Sequence, residues 1–278
     1  MSECTHNCST CSANCSSRDQ KQAIPKEELR KGSKIGKVIA VVSGKGGVGK
    51  SLVTSLLAVK AQKQGKQVCI LDADITGPSI PKIFGVKAGI ESDGEAMIPA
   101  QTQKGIKVMS LNLLLPNESD PVVWRGPVIG GAVKQFWTDV NWGENDVMFI
   151  DMPPGTGDVP LTVFQSLPVD GIVIVTSPQD LVSMIVKKAY KMATMMNVPV
   201  LGIVENMSYV CCPDCGAEFR IFGEGKTETV AEELDCLMLA QVPIDVRLAE
   251  LADKGEFEKF NQRYMDNAAD IIEEKIKL

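Results

Sequence analysis

Apolar residues fall along this chain in two rhythms. In residues 38–43, 67–72, 106–111, 146–151, 171–176, 198–204 and 237–242 they run nearly unbroken and are rich in Val and Ile. Such runs predict strands buried on both faces, the condition of a mostly parallel sheet. Elsewhere apolar residues recur every three or four positions. Leu52, Leu56 and Val59 share one helical face, and helices are predicted over residues 128–138, 181–196 and 225–234. Phe257, Phe260, Tyr264, Ala268, Ile271 and Lys275 keep that spacing and predict a C-terminal helix packed on its own domain. Met184, Met192, Met195 and Met196 read as core filler on their helix. Residues 85–94 read as a loop, and residues 26–31 as one short helix within a linker. Strand and helix in alternation specify an α/β fold, with helices on both faces of a central sheet.

The first strand leads into Gly44-Lys45-Gly46-Gly47-Val48-Gly49-Lys50-Ser51. This is the Gly-x-x-x-x-Gly-Lys-Ser pattern of a phosphate-binding loop, in the required strand-to-helix context. Its glycines let the backbone turn sharply and bring N–H groups close to a phosphate chain. The helix N-terminus that follows adds its positive end. Lys50 is expected to reach the β- and γ-phosphates of ATP, and the Ser51 hydroxyl to bind Mg²⁺. Lys45 is the unusual residue. It cannot comfortably share the phosphates that Lys50 of its own subunit holds, but it could reach a neighbour's nucleotide, as an arginine finger does in trans.

Two further strands end in carboxylates, where parallel sheets bind ligands. Asp72-Ala73-Asp74 closes the second predicted strand and Asp151 closes the fourth. One carboxylate could orient a water at the γ-phosphate and another could hold Mg²⁺ through water. Asp151 is the candidate Mg²⁺-water ligand, and Asp72 stands with it and Ser51 in the candidate Mg²⁺ set. Met152-Pro153-Pro154-Gly155-Thr156-Gly157-Asp158 follows it as a stiff but hinged loop, suited to moving on hydrolysis.

The cysteines form two groups. Cys4, Cys8, Cys11 and Cys15 crowd a polar tail with nothing to build a core. They are a candidate site for zinc or an iron–sulfur cluster. Residues 1–36 therefore read as a Cys-rich tail and linker, and residues 37–278 as the ATPase domain. The second group is Cys211-Cys212-Pro213-Asp214-Cys215-Gly216. A Cys-x-x-Cys pair puts two sulfurs on one tight turn, two short of a tetrahedral or four-iron complement. An isologous dimer presents the same loop twice, so a bridging [4Fe–4S] cluster is a natural solution. Zinc and a redox dithiol are rival readings. Cys211 is left unassigned, and Cys69 and Cys236 read as structural residues of core strands or their edges.

The phosphate loop resembles the deviant Walker A loop of the ParA, MinD and nitrogenase iron protein group, which works as ATP-sandwich dimers with a signature lysine acting across the interface. The Asp151-to-Asp158 segment is similar to switch II of the Mrp/ApbC-type branch, and so is Trp124-Arg125-Gly126-Pro127. The resemblance covers about residues 36–260. It implies an ATP-hydrolysing iron–sulfur carrier or scaffold that passes a [4Fe–4S] cluster to apo-proteins. By position it makes Lys45, Lys50 and Asp74 catalytic, with Asp72 in support, and makes Cys212 and Cys215 the cluster ligands. It also carries over Asn206 as a base contact and the backbone near Pro243 as part of the base enclosure. A ParA- or MinD-like positioning ATPase and a zinc-bound adaptor ATPase remain alternatives.

Composition narrows the field. The chain has 278 residues, 44% of them hydrophobic and 23% charged, which are globular values. A net charge of -6 weighs against general nucleic-acid binding. No apolar run approaches the length of a membrane span. Nine cysteines and a polar N-terminus suggest a reducing compartment, and the expected location is the cytoplasm, with neither membrane nor nucleic acid as partner.

Overall fold

The computed structural model describes residues 25–74, 77, 79–87, 89–115, 126–178, 182–223 and 225–278. Cys4, Cys8, Cys11 and Cys15 lie outside the described residues, as do Trp124 and Arg125. The first half of the chain runs β1 (Lys34–Ser43), α1 (Lys50–Lys63), β2 (Val68–Asp72), α2 (Ile80–Ile83), β3 (Glu91–Ser92), β4 (Met97–Ile98), β5 (Ala100–Gln101), β6 (Lys107–Ser110), α3 (Gly126–Thr138) and β7 (Glu144–Asp151). The second half adds α4 (Asp158–Ser166), β8 (Gly171–Thr176), α5 (Val182–Met195), β9 (Val200–Asn206), β10 (Val210–Cys211), β11 (Glu218–Phe219), α6 (Thr227–Glu233), β12 (Met238–Val242), α7 (Val246–Asp253) and α8 (Asp266–Ile276).

Eight strands form one sheet in the order β12-β9-β8-β1-β7-β2-β6-β5. Every neighbouring pair in it is parallel except β5 with β6. The unbroken apolar runs follow from this arrangement, since alternate residues of one strand feed two cores. In β1, Val38, Ala40 and Val42 face a layer built with α3, α4, α5 and α6. Ile39 and Val41 face the opposite layer, built with α1, α2, α7 and α8. The expected α/β fold with helices on both faces is therefore the observed one. Helix α1 packs against α2 and α8 as well as the sheet, so its buried residues run almost all round it.

The parallel register brings the carboxyl ends of the strands together. Asp72 lies opposite Asp151, Ser43 opposite Val175, Thr176 opposite Glu205 and Asn206 opposite Val242. The chain leaves β1 towards β2 on one side and later returns to β8 on the other. That reversal opens a crevice above β1, where open α/β sheets bind ligands.

Three local expectations need correction. Residues 26–31 form no helix. Their polar groups are taken by the body instead: the Glu27 N–H donates to the Ser166 carbonyl at 2.7 Å, and the Trp137 indole N–H donates to the Glu27 carbonyl at 3.0 Å. The C-terminal helix begins only at Asp266. Phe257, Phe260 and Tyr264 belong to a 3-10 turn and loop, with centroids 6.0 Å apart for the first pair and 5.7 Å for the second. Their spacing reflects a ladder of rings, which Phe84 joins edge-on. Of the four methionines only Met192 is fully buried, whereas Met184 and Met195 face outward at 54% and 82% exposure. Cys69 is buried in β2 and Cys236 sits half-buried at the edge of β12, packed against the core, both as expected. Residues 85–94 are loop apart from β3, which pairs with β4. Among the described residues no helix is long and apolar enough to cross a membrane.

Candidate functional site

The phosphate loop joins β1 to α1 through two left-handed glycines, Gly47 at φ 80° and Gly49 at φ 79°. Gly49 is required twice over. A Cβ there would lie 2.1 Å from the Asn206 amide nitrogen, whose N–H donates to the Val48 carbonyl at 2.9 Å. Gly44 is required by packing, because its Cβ would meet the Ile185 side chain at 1.8 Å. Asn206, expected at the base, thus also ties the end of β9 to the phosphate loop. Pro243, just beyond β12, is buried beside that strand end.

Charge is concentrated below the loop. The Lys50 ammonium lies 2.7 Å from Asp151 Oδ1 and 3.5 Å from Asp74 Oδ2. Ser51 donates to Asp151 Oδ2 at 2.5 Å and Thr54 donates to Oδ1 at 2.9 Å. Asp151 has no solvent exposure, so these donors stabilise a carboxylate that burial would otherwise penalise. Asp72 is turned to a different task. One of its oxygens accepts the Asp74 N–H at 3.1 Å and the other accepts the Ser110 hydroxyl at 3.1 Å. Burial, then the nearby Asp151 charge, pushes its carboxyl above the usual carboxylate range. Asp72 therefore holds the turn that carries Asp74.

A cleft of about 440 Å³ opens over these groups, lined by Ser43, Gly46, Gly47, Lys50, Ser51, Asp74 and Pro154. Its ammonium group and glycine-rich wall suit phosphates. The Ser51 hydroxyl and the Asp151 carboxylate are hard oxygen donors in contact, the set that Mg²⁺ prefers. Lys45 is half-buried at the loop's start. Thr54 was not legible as a site residue, although it stands one helical turn after Lys50 and shares its face.

The second group of cysteines lies off the main sheet. β10 and β11 form a two-stranded hairpin in which Val210 faces Phe219 and Cys211 faces Glu218. The Cys212 N–H donates to the Ala217 carbonyl at 2.8 Å, and the Gly216 N–H donates back to the Cys212 carbonyl at 2.9 Å, with Gly216 at φ 74°. In this tight turn Cys212 is hydrogen-bonded by the backbone N–H groups of Cys215 and Asp214 and then by the Cys215 side chain. Those hydrogen bonds lower the Cys212 thiol below its ordinary value, favouring the thiolate that binds metals. Cys212 is half-buried and Cys215 exposed, while Phe219, Ile221 and Phe222 stand exposed beyond them at 54%, 58% and 42%. Among the described residues no three Cys, His, Asp or Glu gather as a metal site.

A parallel sheet with this loop at its crevice defines a P-loop NTPase, a nucleotide-hydrolysing class of enzyme. The chain belongs to the NUBPL iron-transfer P-loop NTPase family of the ParA group, whose model matches residues 34–277. It is 46% identical over 260 residues to an iron–sulfur cluster carrier protein of Methanocaldococcus jannaschii, covering 92% of this chain and 90% of that one. It is 47% identical to one from Saccharolobus solfataricus, covering 85% and 81%. Among solved structures, it resembles a nucleotide-binding protein of Archaeoglobus fulgidus in complex with ADP, with 47% identity, a TM-score of 0.74 and coverage of 83% of this chain and 90% of that one. The cell division ATPase MinD of Pyrococcus furiosus shares the fold at 22% identity and a TM-score of 0.60, covering 86% of this chain and 99% of that one.

Proposed function

We propose that this protein is an ATP-hydrolysing iron–sulfur carrier that holds one [4Fe–4S] cluster between two copies of the chain and delivers it to apo-proteins in the cytoplasm. The observation that carries the reading is the cysteine turn. Two thiols share one tight turn, backbone N–H groups already favour the Cys212 thiolate, and the pair is two sulfurs short of a cluster's complement. A twofold mate supplies Cys212 and Cys215 again.

Each nucleotide-site residue has a definite task. Lys50 leaves its contact with Asp151 for the β- and γ-phosphates, and the loop N–H groups of Gly44, Lys45, Gly46, Gly47, Val48 and Gly49 line the phosphate chain. Ser51 and Asp151 would hold Mg²⁺, which would neutralise phosphate charge. Asp72 fixes the turn from which Asp74 orients the attacking water. Lys45 acts on the partner's nucleotide. Asn206 and the backbone at Pro243 enclose the base. Movement of the Asp151-to-Asp158 loop on hydrolysis changes how the two copies meet, and so how firmly the cargo is held. Cys4, Cys8, Cys11 and Cys15 form a separate metal or cluster site.

Anaerobic reconstitution with iron and sulfide tests the reading. The wild type should turn brown, with a broad absorbance near about 400 nm, and Cys212→Ser with Cys215→Ser should lose that share of the iron. A colourless wild type holding zinc at this turn would make the protein a zinc-bound ATPase instead.

A further inference from the structure

The cysteine hairpin is held to the nucleotide half of the molecule by a buried carboxylate that the chemistry above does not use. Glu205 is the next-to-last residue of β9 and only 1% exposed. Its neighbour Asn206 grips the phosphate loop through the Val48 carbonyl. Glu205 itself grips both feet of the hairpin. Oε1 accepts the Ser208 hydroxyl at 2.6 Å, just before β10, and Oε2 accepts the Thr227 hydroxyl at the start of α6. The two feet are nineteen residues apart in sequence, with Cys212 and Cys215 between them. The fit is close. A Cβ at Gly225 would lie 2.8 Å from Glu205 Oε2 and 3.1 Å from Pro178 Cβ. The first foot also bonds to the segment around Pro243: the Ser208 N–H donates to the Val242 carbonyl at 2.9 Å, and the Ile244 N–H donates to the Tyr209 carbonyl at 2.8 Å.

We infer that Glu205 is a positioning residue that couples the nucleotide site to the cysteine turn. A shift of the β9 end, driven through Asn206 when nucleotide fills the loop, moves both feet of the hairpin together, because one rigid carboxylate holds them. Charge-assisted hydrogen bonds make that connection stiff, and burial keeps water from replacing either hydroxyl. The inference rests on the carrier reading for its purpose, but its geometry concerns this chain alone.

The test uses cluster-free full-length protein, so that it stands apart from iron content. Alkylation by iodoacetamide is timed on the peptide carrying Cys212 and Cys215, read by mass spectrometry, without nucleotide and with MgADP or the non-hydrolysable analogue MgAMPPNP. In the wild type one of these nucleotides should change the rate about fivefold or more, the lower range of ordinary coupling. Thr227→Val, which removes one hydroxyl at constant shape, should abolish that ratio while ADP affinity stays unchanged, and Thr227→Ser should restore it. Ser208→Ala should weaken it from the other foot. A Thr227→Val protein with the wild-type ratio would overturn the inference. So would a wild type indifferent to nucleotide, which would leave the carrier reading standing on its own iron measurement.

Discussion

At the phosphate loop the charges of Lys50, Asp72, Asp74 and Asp151 are answered within the chain. Lys50, Ser51 and Thr54 all converge on Asp151, and Asp72 is spent on Asp74 and Ser110. At the cysteine hairpin the opposite holds. Two cysteines share the tip, three large apolar side chains face outward, and no third metal-ligating side chain gathers there among the described residues. On the proposed reading the first region lacks only a substrate and the Lys45 cation of a second copy. The second, on the same reading, is half of a site. Fixed charges need a dry, rigid surround to act strongly, whereas a site that must release its cargo works best where a partner can open it.

The largest expected effect tests how finished the phosphate loop is. Lys50→Ala should cut ATP hydrolysis by about 100-fold or more, because the cation on the phosphates is lost. The same change leaves Asp151 buried without its ion-pair partner, which costs about 3–5 kcal/mol, eased by the remaining Ser51 and Thr54 donors. A steady-state ATPase assay and a denaturant melt read the two losses separately. An undiminished melt would mean that Lys50 is not part of the resting structure.

The next effect tests the unfinished half. Phe219→Ser combined with Phe222→Ser should weaken self-association of the cluster-loaded protein by about tenfold or more, the scale of losing central aromatic contacts, with ATP affinity unchanged. Sedimentation across a concentration series checks it, and an unaltered dimer would place the interface elsewhere.

Thr54→Val should then lower stability by about 1.5–3 kcal/mol, the worth of a hydrogen bond to a charged group, without touching the hairpin. A change in iron content in that variant would deny the separation of the two regions.

The smallest effect comes from the border between them. Asp245 caps α7 and binds Arg247 and Tyr264. The Arg247 hydrogen bond, against some opposing burial, holds its carboxyl below the ordinary range, while burial and the Asp245 contact push the Tyr264 hydroxyl up to about 12. Because the folded value is depressed, the charge contributes stability above the unfolded carboxyl value of about 3.9, and the contribution is lost as pH falls through the folded value. Asp245→Asn should therefore lower stability by about 0.5–1 kcal/mol at neutral pH, the scale of an exposed pair. The gap to wild type should close in acid, read from urea midpoints at a series of pH values.

The nucleotide half was legible in sequence because its signals are local. Each central strand is buried on both faces and so reads as an apolar run, and Asp72, Asp151 and Asn206 stand at strand ends beside the phosphate loop. Gly44, Gly47 and Gly49 are demanded by backbone angle or close approach, which leaves little choice of residue. The rest was hidden because long-range partners decide it. Nothing around Glu205 announces that its partners stand at Ser208 and Thr227. The extended segment at residues 26–31 is set by Ser166 and Trp137, not by its own propensity. Phe257, Phe260 and Tyr264 stack as rings at a spacing that imitates a helix. Met184 and Met195 match the helical period but lie off the buried face. The Cys212 turn sits between these cases. Its two cysteines were readable, but strands of two residues leave no periodic trace.

The central claim is that two chains complete one sulfur site. Native mass measurement of the anaerobically reconstituted full-length protein, with its iron content, tests it most directly. The account predicts a dimer that carries about two more iron atoms per chain than the Cys212→Ser, Cys215→Ser protein, one four-iron cluster per pair, and that falls to monomer when that iron is chelated. A monomer that keeps the full iron complement, or a double variant that keeps both its iron and its dimer, would contradict it.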